Sequence, residues 1–264
     1  MIEVHGLWAG YGELDILRDF EIRVDAGTTH CIVGPNGAGK STVLKTLSGL
    51  LKPRQGSIVV DGVDITGKSP TVVLQAGIAQ VPQRNGLFAG LTVEDNVLMG
   101  AYVARRNRRA LRNRYEQLCE TFPILSARAH VPAGALSGGQ RRMVEFARVM
   151  ILEPRVVLLD EPTLGLDPKS LSLISDSVTA LQDEGVTILM VEQNVRLGLR
   201  LSDHATVMSA GSVALAGTAD EIRDHPELMS LFFGHAPAPH HEGEELGSMA
   251  SPLGCPAELQ HGSG

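Results

Sequence analysis

The sequence predicts an α/β fold: a mainly parallel sheet flanked by helices, with an N-terminal antiparallel β-subdomain and an inserted α-helical subdomain. Three observations carry that expectation. An apolar run, His30–Val33, leads straight into the glycine-rich stretch GPNGAGKS, Gly34 to Ser41, which opens a helical pattern. From Val156 onward, short apolar runs alternate with helical periodicity, the signature of parallel strands joined by right-handed crossovers. Between Leu91 and Ala135, strand patterning disappears and helical spacing remains.

Taken in order, Ile2–Leu7 and Phe20–Val24 alternate as half-buried strands do, and Gly10 to Gly12 supplies turn chemistry between them. His30–Val33 reads as a strand, and Ser41–Gly49 as a helix that Gly49 ends. Ser57–Val60 and Ile78–Val81 are further strands. After the helical insertion come a strand at Val156–Leu159, a helix at Pro168–Asp183 and a strand at Val186–Val191. Thr206–Ser209 and Ser212–Ala216 form a hairpin across Ala210-Gly211. Residues 1–86 and 151–234 would thus make one core, and 87–150 a helical subdomain. Residues 235–264, rich in Pro, Gly, His and Glu, have too little apolar surface to fold and are expected to be a disordered tail. His235, His240, His241 and Cys255 in that tail follow no ligand spacing.

At 264 residues the chain can bury a sizeable core, as one large domain or two small ones. Its hydrophobic content of 43% and charged content of 20% are those of an ordinary globular protein. A net charge of −7 argues against nucleic acid as the main partner. Cys31, Cys119 and Cys255 show no paired or metal-like spacing, so reduced thiols are expected. No apolar run reaches bilayer length, and the opening MIEVHGLWAGYGELD carries early acids rather than a basic start before an apolar stretch. A role at a membrane would require other subunits to do the crossing.

A polyphosphate carries several negative charges, and holding it demands dense, close donors. GPNGAGKS fits the phosphate-loop pattern G-x-x-x-x-G-K-[ST]. Gly34, Gly37 and Gly39, with Pro35, Asn36 and Ala38 between them, let backbone N–H groups approach. The helix continuing through Thr42 adds its positive end. Lys40 is expected to reach the β- and γ-phosphates, and Ser41 to hold Mg²⁺ through its hydroxyl. Downstream, VVLLDEP ends an apolar strand in two adjacent carboxylates, where parallel sheets place ligand chemistry. Asp160 is expected to bind Mg²⁺, and Glu161 to polarise the attacking water as general base. Because Pro162 follows, an acidic pair at a helix N-terminus is the other reading of the same residues.

Between these motifs stands LSGGQ, Leu136 to Gln140. In this order the three resemble the ATP-binding cassette family, the ATPase subunits of ABC transporters, and the resemblance runs from about residue 2 to 234. It implies a P-loop NTPase fold of the ABC type that binds ATP with Mg²⁺ and hydrolyses it, with 1–86 and 151–234 as the ATP-binding core and 87–150 as the subdomain bearing the signature. Tyr11 matches the family's adenine-stacking aromatic, with Trp8 a nearby competitor. Gln83 in VPQRNGLF matches the glutamine that completes the Mg²⁺ shell and links core to lobe. Ser137, Gly138, Gly139 and Gln140 match the motif that meets the γ-phosphate held by the other subunit, although Ser137 also suits a helix N-cap. Asp167 in LGLD matches an acidic position beside the opposing site and equally suits the N-cap of the Pro168 helix.

One departure is informative. The family commonly has a histidine after the last core strand, touching the γ-phosphate; here that position is Gln193, in ILMVEQNVR, and His204 lies too far along to replace it. A glutamine amide donates but carries no charge. VEQN at this point resembles the ATPases of branched-chain amino-acid importers and their urea and amide relatives. GTADEI and the closing ELMSLFFG, Glu227 to Gly234, resemble the smaller ATPase of those systems. The resemblance implies a head-to-tail dimer with a sister ATPase or a second copy, transmembrane permease subunits docked near the Gln83 loop and helical lobe, an indirect link to a solute-binding protein, and a peripheral place on the cytoplasmic face of the inner membrane. A lipid-transport or exporter ATPase is the alternative, and a soluble ABC ATPase a more distant one. The basic run RRNRRALRNR, Arg105 to Arg114, is expected to be a solvated helix face, with anionic lipid headgroups as the sharper alternative.

Overall fold

The computed structural model describes residues 1–83, 86–102 and 107–233. Strands β1 (Ile2–Tyr11) and β2 (Leu14–Val24) pair antiparallel, Ile2 opposite Val24 and Tyr11 opposite Leu14. Both are longer than the alternation predicts. Gly10 reads as turn chemistry in the sequence yet lies within β1, where an added Cβ would stand 1.8 Å from the Leu14 carbonyl oxygen. The reversal is confined to Gly12–Glu13. β3 (Thr29–Val33), α1 (Lys40–Leu47), β4 (Gln55–Val60), β5 (Val63–Asp64), α2 (Pro70–Gln75) and β6 (Ile78–Val81) follow. α1 stops before Gly49, whose φ of 75° supplies the left-handed residue a helix C-terminus favours.

Between residues 87 and 150 the described elements are helices, α3 (Val93–Gly100), α4 (Arg108–Thr121), α5 (Ile124–Ala127), a 3-10 turn at Ala133–Ala135 and α6 (Gly138–Met150), with one isolated bridge between Thr92 and Pro132. Asn96, fully buried on α3, accepts from the Phe88 N–H at 2.8 Å and donates to carbonyls of Phe88, Leu91 and Thr92, tying the loop before α3 to the helix. Of the basic run, Arg105 and Arg106 lie outside the described residues; Arg108, Arg109 and Arg112 are exposed on α4, whereas Arg114 turns inward to Glu184 at 3.0 Å.

β7 (Val156–Asp160), α7 (Pro168–Asp183), β8 (Thr187–Glu192), α8 (Val195–Arg200), β9 (His204–Ser209), β10 (Ser212–Thr218), α9 (Ala219–Arg223) and α10 (Leu228–Phe233) complete the order. The β9–β10 hairpin turns at Ala210 and Gly211 with φ of 48° and 88°, both left-handed as a two-residue hairpin loop needs. β8 starts one residue later than its apolar pattern predicts and takes in Glu192. The tail from residue 235, with its histidines and Cys255, lies outside the described residues.

Two sheets result. One is antiparallel, in the order β2-β1-β4-β5; the other has six strands in the order β10-β9-β3-β8-β7-β6, parallel except for β10. Strand alternation sorts the six-stranded sheet between two cores. Ile32, Leu158, Leu189 and Val191 face α1 and the N-terminal sheet, packing with Phe20, Leu44 and Leu47. Cys31, Val33, Val157, Leu159, Ile188 and Met190 face the other way, toward Phe146 of α6 and Ile174 and Val178 of α7. Each such side chain buried from water stabilises the fold by roughly 1.5–3 kcal/mol. The C-terminal ends of β3, β7 and β8 therefore lie side by side, clamped on both faces.

Candidate functional site

The glycine loop sits at the C-terminal end of β3. An added Cβ on Gly34 would stand 2.4 Å from the Met208 carbonyl oxygen, so only glycine lets the loop run this close to β9. The hairpin tip adds a second tie, from the Gly211 N–H to the Ala38 carbonyl at 3.1 Å. Gly39, with a φ of 102°, precedes the first residue of α1. Asn36 and Gly37 are exposed, Pro35 and Ser41 half-buried, and Ala38, Lys40 and Thr42 buried. Lys40 Nζ curls back to donate to the Gly34 and Pro35 carbonyls, at 2.7 and 3.0 Å. Burial lowers the Lys40 pKa, opposed by the nearby charges of Glu161 and Asp160.

Asp160 ends β7, opposite Val191 of β8, and accepts from Ser41 Oγ at 3.4 Å. Burial, reinforced by Glu161, raises its pKa. Glu161 is buried and left-handed, with a φ of 45°, and its N–H donates to the Val191 carbonyl at 2.9 Å. Its carboxylate is held from both sides: Gln83 Nε2 donates to Oε2, and Gln193 Nε2 donates to Oε1 at 2.7 Å. Residues 83, 161 and 193, far apart in sequence, thus meet at one carboxylate. His204 stacks on His30, opposite it at the N-terminal half of β3, and so lies at the far end of the sheet from the glycine loop.

Ser137 caps α6: its Oγ accepts from the Gln140 N–H at 3.3 Å, and Gln140 Oε1 accepts from the Ser137 N–H at 3.1 Å. Ser137 and Gly138 are exposed. Gly139 is buried, and a Cβ there would meet Ser170 Oγ at 2.4 Å, which presses α6 onto the start of α7. Asp167 caps α7, accepting from the N–H groups of Lys169 and Ser170 and from Ser170 Oγ, the last at 2.6 Å. A cleft of about 450 Å³ lined by Gln83, Gly138, Arg142, Glu161 and Leu166 separates the signature from the carboxylates. Tyr11 is exposed at the end of β1, with Lys45 Nζ 5.5 Å from its ring centroid and 3.3 Å from its hydroxyl. Trp8 is half-buried, three residues back along β1.

Sequence patterns did not reveal three sets of residues. Arg54 anchors the β1–β2 turn through Asp15 and the Gly12 carbonyl, beside Tyr11. Arg142, Glu145 and Arg148, along one side of α6, hold the segment around Gln83: Arg142 donates to the Pro82 carbonyl, Glu145 Oε1 accepts from the Gly86 N–H at 3.1 Å, and Arg148 donates to the Gly86 carbonyl. Their i, i+3, i+6 spacing, polar among the buried apolar residues Val144, Phe146, Ala147 and Val149, is the available signal. Glu192 is 1% exposed, and its Oε1 accepts from the N–H and Oγ1 of Thr163, at 3.1 and 2.8 Å. A carboxylate ending an apolar strand pointed to it.

A glycine loop feeding a helix at the C-terminal edge of a parallel sheet, with two carboxylates beside its Lys and Ser, defines a P-loop nucleotide-binding protein. The family model described as ABC transporter matches residues 17–164. The chain belongs to the ABC transporter family, as one of its ATP-binding ATPase subunits. The probable branched-chain amino acid transport ATP-binding protein LivF of Archaeoglobus fulgidus is 39% identical over 235 residues, covering 89% of this chain and 99% of that protein. The high-affinity branched-chain amino acid transport ATP-binding protein BraG of Pseudomonas aeruginosa is 34% identical, covering 85% and 95%. The ADP conformation of MJ1267, an ATP-binding cassette of an ABC transporter, superposes with a TM-score of 0.81 at 26% identity, covering 89% of this chain and 99% of that one. A bacterial ABC transporter cassette solved as a dimer, MJ0796, matches with a TM-score of 0.73 at 25% identity, covering 83% and 99%. Among the described residues, no helix is long and apolar enough to cross a membrane.

Proposed function

We propose that this chain is the ATP-hydrolysing subunit of an ABC importer, coupling ATP binding and hydrolysis to uptake of branched-chain amino acids or a related small polar solute. The observation that carries the chemistry is the Glu161 carboxylate held between the amides of Gln83 and Gln193, beside the Lys40 loop and the Ser41–Asp160 pair. The two curated relatives described above, and the VEQN segment, support the solute class.

In this reading the backbone of Gly34 to Thr42 wraps the phosphates, and Lys40 leaves its carbonyl partners for the β- and γ-phosphate oxygens. Tyr11 stacks on adenine. Ser41, Asp160 and Gln83 offer oxygen donors only, which suits a small hard cation such as Mg²⁺. That ion, when bound, neutralises charge building up between the β- and γ-phosphates. Glu161 is the general base: each carboxylate oxygen keeps a free lone pair after accepting one amide, so the group is oriented yet able to take the proton of the attacking water. Gln193 stands where the family commonly has histidine and steadies Glu161 without adding charge.

Ser137, Gly138, Gly139 and Gln140 present their exposed side to the γ-phosphate bound by the second ATPase of a head-to-tail pair, with Asp167 beside that interface. Residues 1–86 and 151–234 act as the catalytic core, 87–150 as the signature lobe, and 235–264 as a tail. Transmembrane permeases dock near the Gln83 loop, which puts the chain on the cytoplasmic face of the membrane, and a solute-binding protein delivers the cargo. The test is co-purification from membranes followed by reconstituted, ATP-dependent uptake of labelled leucine, isoleucine and valine. Uptake of these solutes is the expected result; ATP-driven lipid extrusion without uptake would overturn the importer reading.

A further inference from the structure

The last residue of β8 and the residue after it take hold of one loop from two sides. Gln193 donates to the Glu161 carboxylate; Glu192 accepts from the N–H and hydroxyl of Thr163, two residues further on. Between those anchor points stands Pro162, whose ring restricts the backbone. Glu161 itself has a φ of 45°, a left-handed conformation that persists in a non-glycine residue only where its surroundings impose it. Beside the two amides on its carboxylate, the contacts that fix this turn include Glu161 N–H to the Val191 carbonyl at 2.9 Å, Leu164 N–H to the Glu161 carbonyl at 3.2 Å, and the Glu192–Thr163 pair.

Glu192 is enclosed on the side away from Thr163 as well. α8 closes over it through Gly198, where an added Cβ would lie 2.7 Å from Cys31 Sγ and 3.2 Å from Glu192 Cβ. Burial pushes the Glu192 pKa up, while the Thr163 donors and the backbone N–H groups of Asn194 and Gln193 favour the ionised form. A buried carboxylate is retained at such a cost where it organises neighbouring donors.

We propose that Glu192 is a positioning residue for ATP hydrolysis: by gripping Thr163 it holds Glu161 in its left-handed conformation and aims the Glu161 carboxylate between Gln83 and Gln193. The proposal rests on Glu161 being the general base. It also gives the VEQN segment a division of labour, Gln193 steadying the reactive carboxylate and Glu192 the backbone that carries it.

The test uses the full-length chain, assayed for steady-state ATP hydrolysis across a range of protein concentrations and in the membrane complex. Thr163→Val is nearly isosteric and removes only the hydroxyl donor; its kcat should fall about three- to tenfold while KM for ATP stays within about twofold. Thr163→Ser, which keeps both donors, should retain kcat. Glu192→Ala should lose about tenfold or more in kcat, and the double variant no more than the worse single one, since both remove the same contact. If Glu192→Ala does not fold, the Val and Ser variants alone decide. Unchanged kcat in Thr163→Val, a Ser variant as impaired as Val, KM rising in step with falling kcat, or multiplying losses in the double variant would each overturn the proposal. Failure of the underlying reading looks different: Glu161→Gln would then turn over normally, whatever Thr163 does.

Discussion

The Gln193 amide donates to Glu161 Oε1 at 2.7 Å, and Gln83 donates to Oε2 of the same carboxylate. The group proposed as general base is therefore held by neutral donors, and its charge in turn favours the ammonium form of Lys40. Removing its charge while keeping its shape isolates its role. Glu161→Gln should bind ATP with near-normal affinity and lose about a hundredfold or more in turnover, the range expected for a missing general base. With hydrolysis blocked, ATP should hold the pair of subunits closed, seen as a dimer by size-exclusion chromatography with ATP. Full turnover in this variant would remove Glu161 from the mechanism.

Gln193 supplies one hydrogen bond and no charge, so its removal should cost less. Gln193→Ala is expected to slow hydrolysis about tenfold, in line with losing one oriented donor, and to change the ATP dissociation constant by less than about threefold. The check is single-turnover hydrolysis beside equilibrium binding of the nucleotide. An unchanged single-turnover rate would leave Gln193 no part in the reaction.

How much of this could be read from the chain depends on what sets each residue's spacing. Gly34 to Ser41 and Val156 to Glu161 are contiguous because a phosphate and its cation need donors from one turn and one strand end, and such runs are visible in sequence. The two-sided apolar strands Cys31–Val33 and Val156–Leu159 were equally plain, since both faces are covered and no alternation interrupts them. Gly10 misled, because glycine marks both a turn and a close approach of backbones, and only the Leu14 carbonyl distinguishes them. Glu192 with Thr163, and Arg142 and Glu145 with Pro82 and Gly86, meet across 29 to 60 residues. Nothing local demands those pairings; they follow from which strand ends the crossovers bring together.

Lys40 offers a separation of binding from stability. Its ammonium is buried against the loop's own carbonyls, and burial already lowers its pKa. Lys40→Met keeps the stem and removes a desolvated charge. ATP affinity should fall by about a hundredfold, the loss of a charge-assisted phosphate contact, while stability to urea changes by less than about 1 kcal/mol. Calorimetric titration with ATP and a urea transition check both. Retained affinity would mean that the backbone donors alone hold the phosphates.

At the opposite end of the sheet, His30 makes the acid stability of the fold testable. It is 6% exposed on β3, shares a 2.8 Å hydrogen bond with Thr206 Oγ1, and has the His204 ring stacked at 6.2 Å. Burial, reinforced by His204 and opposed by Asp25, lowers its pKa from 6.5 to about 4. Between those values the unfolded chain takes up a proton that the folded chain refuses. Stability should therefore be full above pH 6.5, fall as the pH drops toward 4, and change no further on this account below that. The slope approaches about 1.4 kcal/mol per pH unit, for a total on the order of 3 kcal/mol. His30→Gln keeps a hydrogen-bonding partner for Thr206 without a titrating group. Urea transitions at pH 7.5 and 5 should show the unsubstituted chain losing about 1–2 kcal/mol more than the variant, because the carboxylates common to both cancel in the difference. Parallel losses in the two proteins would mean that His30 is not held neutral by the fold.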